Sequence, residues 1–157
     1  MKTIKHLQTA VLFLTAMLAA PLATANETPF RGTVEALETQ VVTPPTLAAT
    51  GAGGGNSTHL GKFTLTYTAQ VNLVSGRGIG SFVFIAANGD HVYASDVGQS
   101  TPVIPGVVSI VETATITGGT GRFADATGNF VLTRILNRAT GITSGSFAGT
   151  IVIPNGN

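Results

Sequence analysis

The sequence predicts a small all-β domain whose antiparallel strands close into a barrel, with a two-sheet sandwich as the alternative topology. Three observations carry this expectation. The chain is rich in Thr, Val and Gly, and only 10% of it is charged. Thr and Val are β-branched, so they lose little in an extended backbone and pack well on a pleated surface. Within the strand signal over 60–74, residues 62–73 alternate polar and apolar side chains without interruption, the mark of a strand with one buried and one wet face. The strand signals are joined by short turns, with no amphipathic helix between them. Hairpins without helical crossovers build an antiparallel sheet.

The first 25 residues read as a signal peptide. Lys2 and Lys5 precede an apolar run over 11–22, and Ala23-Thr24-Ala25 fits the small-x-small cleavage pattern. The run is shorter than the roughly 20 residues of a spanning helix. Export to the periplasm or the exterior is therefore expected, with no membrane span after cleavage. Residues 26–157 then form a single β-barrel domain, a length that can bury a core. Without Lys2 and Lys5 the chain carries slightly more acidic than basic residues, and no basic stripe exists, so no nucleic-acid partner is expected. There is no Cys, so stability must come from apolar burial and sheet hydrogen bonds. A transmembrane barrel fits poorly, because such barrels carry aromatic girdles and this chain has no Trp and 2 Tyr.

Along the domain, residues 30–42 form a first strand, ended by Pro44-Pro45. Residues 43–58 are Pro/Gly-rich and lack periodicity, which predicts a flexible loop. In 60–74, Phe63, Leu65, Tyr67, Ala69, Val71 and Leu73 share the inward face, and Lys62, Thr64, Thr66, Thr68, Gln70 and Asn72 the outward one. Residues 81–87 are apolar on both faces and predict a strand covered on both sides. Asn88-Gly89 is a hairpin turn, since both positions of a type I′ turn need positive φ. The return strand covers 91–97, and 98–106 is a loop containing Pro102 and Pro105. Further strands cover 107–117, 129–137 and 142–153.

Most catalytic signatures are absent. Gly61-Lys62 lacks the remainder of a phosphate-binding loop, and no serine is flanked by glycines at −2 and +2. Gly76, Gly78 and Gly80 open no helix that could face a pyrophosphate. His59 and His91 have no metal-ligand spacing. Neither metal nor cofactor is expected.

Three inward candidates remain. Glu112 shares its parity with Val108, Ile110, Ala114 and Ile116, so a closed barrel sends it inside. A buried carboxylate there would have a raised pKa and could serve as acid or base. A bulge turning it outward, or an ion pair with an Arg, are the structural alternatives. Arg134 lies among Phe130, Leu132 and Leu136 at even spacing and is the nearest candidate partner. Tyr67 sits on the apolar face of its strand, where a satisfied core hydroxyl competes with a ligand-binding one.

The stretch from Ile116 to Phe130 is the most distinctive. Gly118, Gly119 and Gly121 permit a sharp reversal at a barrel rim, Phe123 plugs the barrel end, and Gly128 restarts the next strand. Gly118-Gly119-Thr120-Gly121, Phe123, Ala126 and Gly128 also resemble the Gly-Gly-Thr-Gly-x-Phe-x-x-Ala-x-Gly stretch of dirigent proteins and allene oxide cyclases. The resemblance implies an eight-stranded antiparallel barrel with an apolar cavity, often a homo-oligomer. It touches a turn and not an active site, so neither plant activity carries over residue by residue. The expected function is binding or scaffolding of an apolar small molecule without turnover. The alternatives are a cyclase or isomerase using an inward Glu112, and an envelope or matrix structural protein.

Overall fold

A computed structural model describes residues 26–154. The leader expected over residues 1–25 lies outside the described residues. Eight strands follow one another: β1 (Glu27–Thr43), β2 (Thr46–Ser57), β3 (Gly61–Asn72), β4 (Arg77–Ala86), β5 (His91–Ile104), β6 (Val107–Gly119), β7 (Thr127–Asn137) and β8 (Ile142–Val152). Each pairs antiparallel with its neighbours in sequence, and β8 pairs with β1, so the sheet closes as an up-and-down barrel. Closure leaves no free sheet edge.

Alternation sorts the interior from the exterior. In β3, Phe63, Leu65 and Tyr67 are buried, while Lys62, Thr64, Thr66 and Thr68 are exposed. Leu73, placed inward from its parity, lies in the turn after β3 and is exposed. Val83 and Ile85 of β4 are half-buried on the outer face, so that strand is not covered on both sides.

Two expected loops are strands. Residues 46–57, read as part of a flexible loop over 43–58, form β2; residues 98–104, read as a loop, continue β5. In both, glycine hides the period because it carries no apolar side chain to mark the inward face. Gly51 sits directly across from Tyr67, and a Cβ there would fall 2.1 Å from the tyrosine ring. Pro102 is accommodated at a register irregularity near the end of β5, where a missing N–H does least harm.

The interior has two unlike halves. At the end closed by the β2–β3, β4–β5 and β6–β7 connections, every phenylalanine of the described residues is buried: Phe30, Phe63, Phe82, Phe84, Phe123, Phe130 and Phe147. Their rings meet edge-on or tilted, with Phe30 and Phe147 centroids 4.9 Å apart and Phe63 and Phe84 5.4 Å apart, in arrangements favoured by the ring quadrupole. The Gly118–Gly121 reversal leads into a single helical turn, Gly121–Phe123, which drives Phe123 into this end. Gly121 holds φ 54°, with Asp90 close against its Cα. Arg122 stacks over Phe123 at 4.7 Å and donates to the His59 carbonyl, sealing the end. The opposite end, below the β1–β2, β3–β4, β5–β6 and β7–β8 turns, is polar inside.

Candidate functional site

All the buried charged groups of the described residues gather in that polar half: Glu38 on β1, Asp96 on β5, Glu112 on β6 and Arg134 on β7. Tyr67 on β3 and Thr143 on β8 complete the group. Each arrives by strand parity, and a bulge would have reversed it. The two irregularities in the β5–β6 pairing fall either side of the stretch from Ala94 to Pro102, so Glu112 keeps its inward parity, paired to Gly98 and Leu132.

Room for these side chains comes from glycines on the neighbouring strand. Glu38 and Tyr67 both pair with Gly51, Asp96 with Gly80, Glu112 with Gly98, and Arg134 with Gly145. A Cβ on Gly80 would lie 2.6 Å from the Asp96 carboxylate, and one on Gly145 2.6 Å from the Arg134 Cβ. Six polar side chains of this size would otherwise overfill a narrow eight-stranded barrel.

Arg134 is the hub. Its Nε donates to Glu112 Oε2 at 3.0 Å and its Nη2 to Glu112 Oε1 at 2.8 Å, a bidentate pair. Its Nη1 donates to Glu38 Oε2 at 2.8 Å and lies 3.3 Å from both the Tyr67 and Thr143 hydroxyls. The Tyr67 hydroxyl donates to the same Glu38 oxygen at 2.8 Å, and Gln40 donates to Glu38 Oε1 at 2.6 Å. The guanidinium also sits over the Tyr67 ring, 4.9 Å from its centroid, where the π face favours a cation. Every charge in this set is matched by a donor or acceptor, as a buried ionic group requires.

Protonation follows from this packing. Burial pushes the Tyr67 phenol above its ordinary range, with the Arg134 charge opposing and Glu38 reinforcing. Burial alone would lower the Arg134 pKa, but the hydrogen bonds and charge of Glu112 outweigh it and hold the guanidinium charged. Asp96 is different. It is 8% exposed, makes no hydrogen bond among the described residues, and lines the cavity beside the network. Burial first, and the Glu112 charge second, push its carboxyl up to about 7, against a weaker lowering by Arg134. Asp96 is therefore the member of this set that exchanges a proton near neutrality.

The cavity between these side chains is small, about 40 Å³, room for a water or two and not for a whole organic ligand. It opens toward the turns through a mouth lined by Leu47, Val71, Val108 and Leu136, with Gln40, Gln99 and Arg138 also around it. Among the described residues no group of His, Cys, Asp or Glu is arranged to hold a metal.

The structure brings together all three residues singled out from the sequence. Glu112 and Arg134 face inward as a bonded pair, and Tyr67 touches both Arg134 and Glu38. Gly118, Gly119, Gly121, Phe123 and Gly128 lie at the opposite, phenylalanine-packed end and take no part in the site. Sequence reasoning missed Glu38, Asp96 and Thr143. Parity was available for the two acids: Glu38 follows Val34 and Ala36, and Asp96 follows Val92 and Ala94. Searches of family models, curated proteins and solved structures find no match to this chain.

Proposed function

We propose that the protein binds an apolar small molecule carrying one polar head, without turning it over, at the mouth of the polar half. The head would enter beside Asp96, and the apolar part would rest on the side chains of the mouth. The single observation that carries this reading is Asp96, a buried carboxyl with no protein partner that faces the cavity beside a network satisfied without it. Among the described residues no fully buried side-chain oxygen or nitrogen is left without a partner, so the Asp96 carboxyl keeps contact with water through the cavity and can exchange that water for a ligand's polar head. The absence of turnover rests on Glu112. Both its oxygens are held by Arg134, so using it as a base would require breaking a bidentate ion pair. The likeness of residues 118–128 to dirigent and allene oxide cyclase barrels, and the export signal, belong to the same proposal: an exported binding barrel.

The test is a thermal-shift screen of apolar compounds with single polar heads, on the wild-type protein and on Val108→Trp, which fills the mouth. A ligand at about 100 times its Kd should stabilise the wild type by about 2.7 kcal/mol and leave the filled variant unmoved. Ligands that stabilise both alike would bind elsewhere and defeat the proposal. One observation favours a second reading, a cyclase or isomerase. Asp96 at about 7 is matched to proton transfer at neutral pH, a role for which the sequence pointed to Glu112.

A further inference from the structure

We infer that the polar head is a cation: the site takes a small organic ammonium on an apolar tail, with Asp96 as its counter-ion. This rests on the binding reading and names the ligand class for that site.

The argument is charge balance in a closed space. Among the described residues the buried charged groups are three carboxylates, Glu38, Asp96 and Glu112, against one guanidinium, Arg134. Arg134 is already spent on two of them, at 2.8 Å each. Asp96 has no cation of its own and flanks Gly98 together with Glu112. The Glu112 charge opposes ionisation of Asp96, and Arg134 offsets it only in part. An anionic head would add repulsion to this set. A neutral head would leave Asp96 to carry its proton. A cation favours the state in which all three carboxylates are ionised, and so draws the proton off Asp96 at a lower pH.

The remaining features narrow the cation. The oxygens of Glu38 and Glu112 are occupied by Arg134, Tyr67 and Gln40, so a metal ion would find one free carboxylate. The cavity of about 40 Å³ admits an ammonium group and no larger head. The apolar rim beyond it fits an alkyl or aryl tail. Arg138 is exposed at the rim, where water screens it.

Proton linkage gives the inference an independent signature. Asp96 must lose its proton to pair with an ammonium, so affinity should rise with pH through about 7. The charged groups that act on it are Glu112 on β6 and Arg134 on β7, and Glu38 and Tyr67 lie beyond Arg134, bonded to it. Arg134 stays charged and Tyr67 stays neutral across that interval.

Calorimetric titration with hexylammonium, 1-hexanol and hexanoate tests this on the wild-type protein. Hexylammonium should bind at least about tenfold tighter than 1-hexanol, with hexanoate weakest. Its affinity should rise about tenfold or more from about pH 5 to about pH 8, with proton release seen between buffers of different ionisation heat. In Asp96→Asn, an isosteric change checked for folding by its melting curve, the preference for hexylammonium over 1-hexanol should vanish. If 1-hexanol binds the wild type as well as hexylammonium does, the cation assignment is overturned and the binding reading stands. If none of the three binds saturably up to about 10 mM, the assignment and the binding reading both fall. A preference that survives in Asp96→Asn overturns the assignment to Asp96.

Discussion

The two halves of this barrel are built from the same strands and the same alternation, yet they hold together by opposite means. In one half the inward positions carry phenylalanines that pack ring against ring with no polar atom to satisfy. In the other the inward positions carry three acids, an arginine and a tyrosine, and stability depends on the network that Arg134 holds together with Glu38, Glu112 and Tyr67. A packed aromatic core loses stability in proportion to what is removed. A buried ionic network fails when one member leaves, because the others stay charged and alone.

The largest effect to expect is at the aromatic half. Phe84 is fully buried and its ring lies 5.4–6.2 Å from those of Phe30, Phe63, Phe82, Phe130 and Phe147. Phe84→Ala should cost about 3–5 kcal/mol in urea unfolding. Truncations at two of these rings should both be costly.

The polar half should break that pattern. Arg134→Leu should also cost about 3–5 kcal/mol, because Glu38 and Glu112 are left uncompensated. Adding Glu38→Gln and Glu112→Leu to it should recover at least half of the loss. If the triple variant is less stable than Arg134→Leu alone, the polar half behaves as a packed core, and the contrast drawn above is mistaken.

The smallest effect should come from Asp96. Its carboxyl holds a proton more tightly in the folded state, up to about 7, than in the unfolded chain, where an aspartate titrates near 3.9. The folded protein therefore binds more protons over that interval. Stability is greatest below about pH 4, as far as this group is concerned, and is lost progressively as pH rises through about 7. Asp96→Asn should be more stable than the wild type at about pH 8 by on the order of 1–3 kcal/mol, and should level out that part of the pH profile. Phe84→Ala should leave the same part of the profile unchanged. An Asp96→Asn profile parallel to the wild type would show that another group titrates there.

Much of this could be read in the chain. Seven of the eight strands announce themselves through alternation and turns, wherever the inward positions are large and apolar. The reading failed at β2 and at the end of β5, where the inward positions are Gly51, Gly53 and Gly55, or Gly98 and Ser100. These are the places where the barrel makes space for a side chain on the next strand. Glycine in them reports a neighbour's bulk, and a neighbour is not visible in a single strand's period. The site was legible in part for a related reason. Glu112, Arg134 and Tyr67 stood out as polar residues on long apolar faces, whereas Glu38 and Asp96 lie on strands with weaker inward faces.

By itself the sequence determined which side of the sheet each residue occupies, because a period of two is a local property of the extended chain. It also marked several of the turns, among them Asn88-Gly89 and Thr140-Gly141, while two stretches read as loop are strand. Tertiary structure alone decided which inward residues meet. Glu38 and Arg134 are 96 residues apart, and their 2.8 Å contact exists because β8 closes on β1 and carries β7 around to that side. Parity says only that a side chain points inside. The register of every ladder between two strands sets its height along the barrel axis, and closure alone places three acids and one arginine at the same level, leaving Asp96 without a partner.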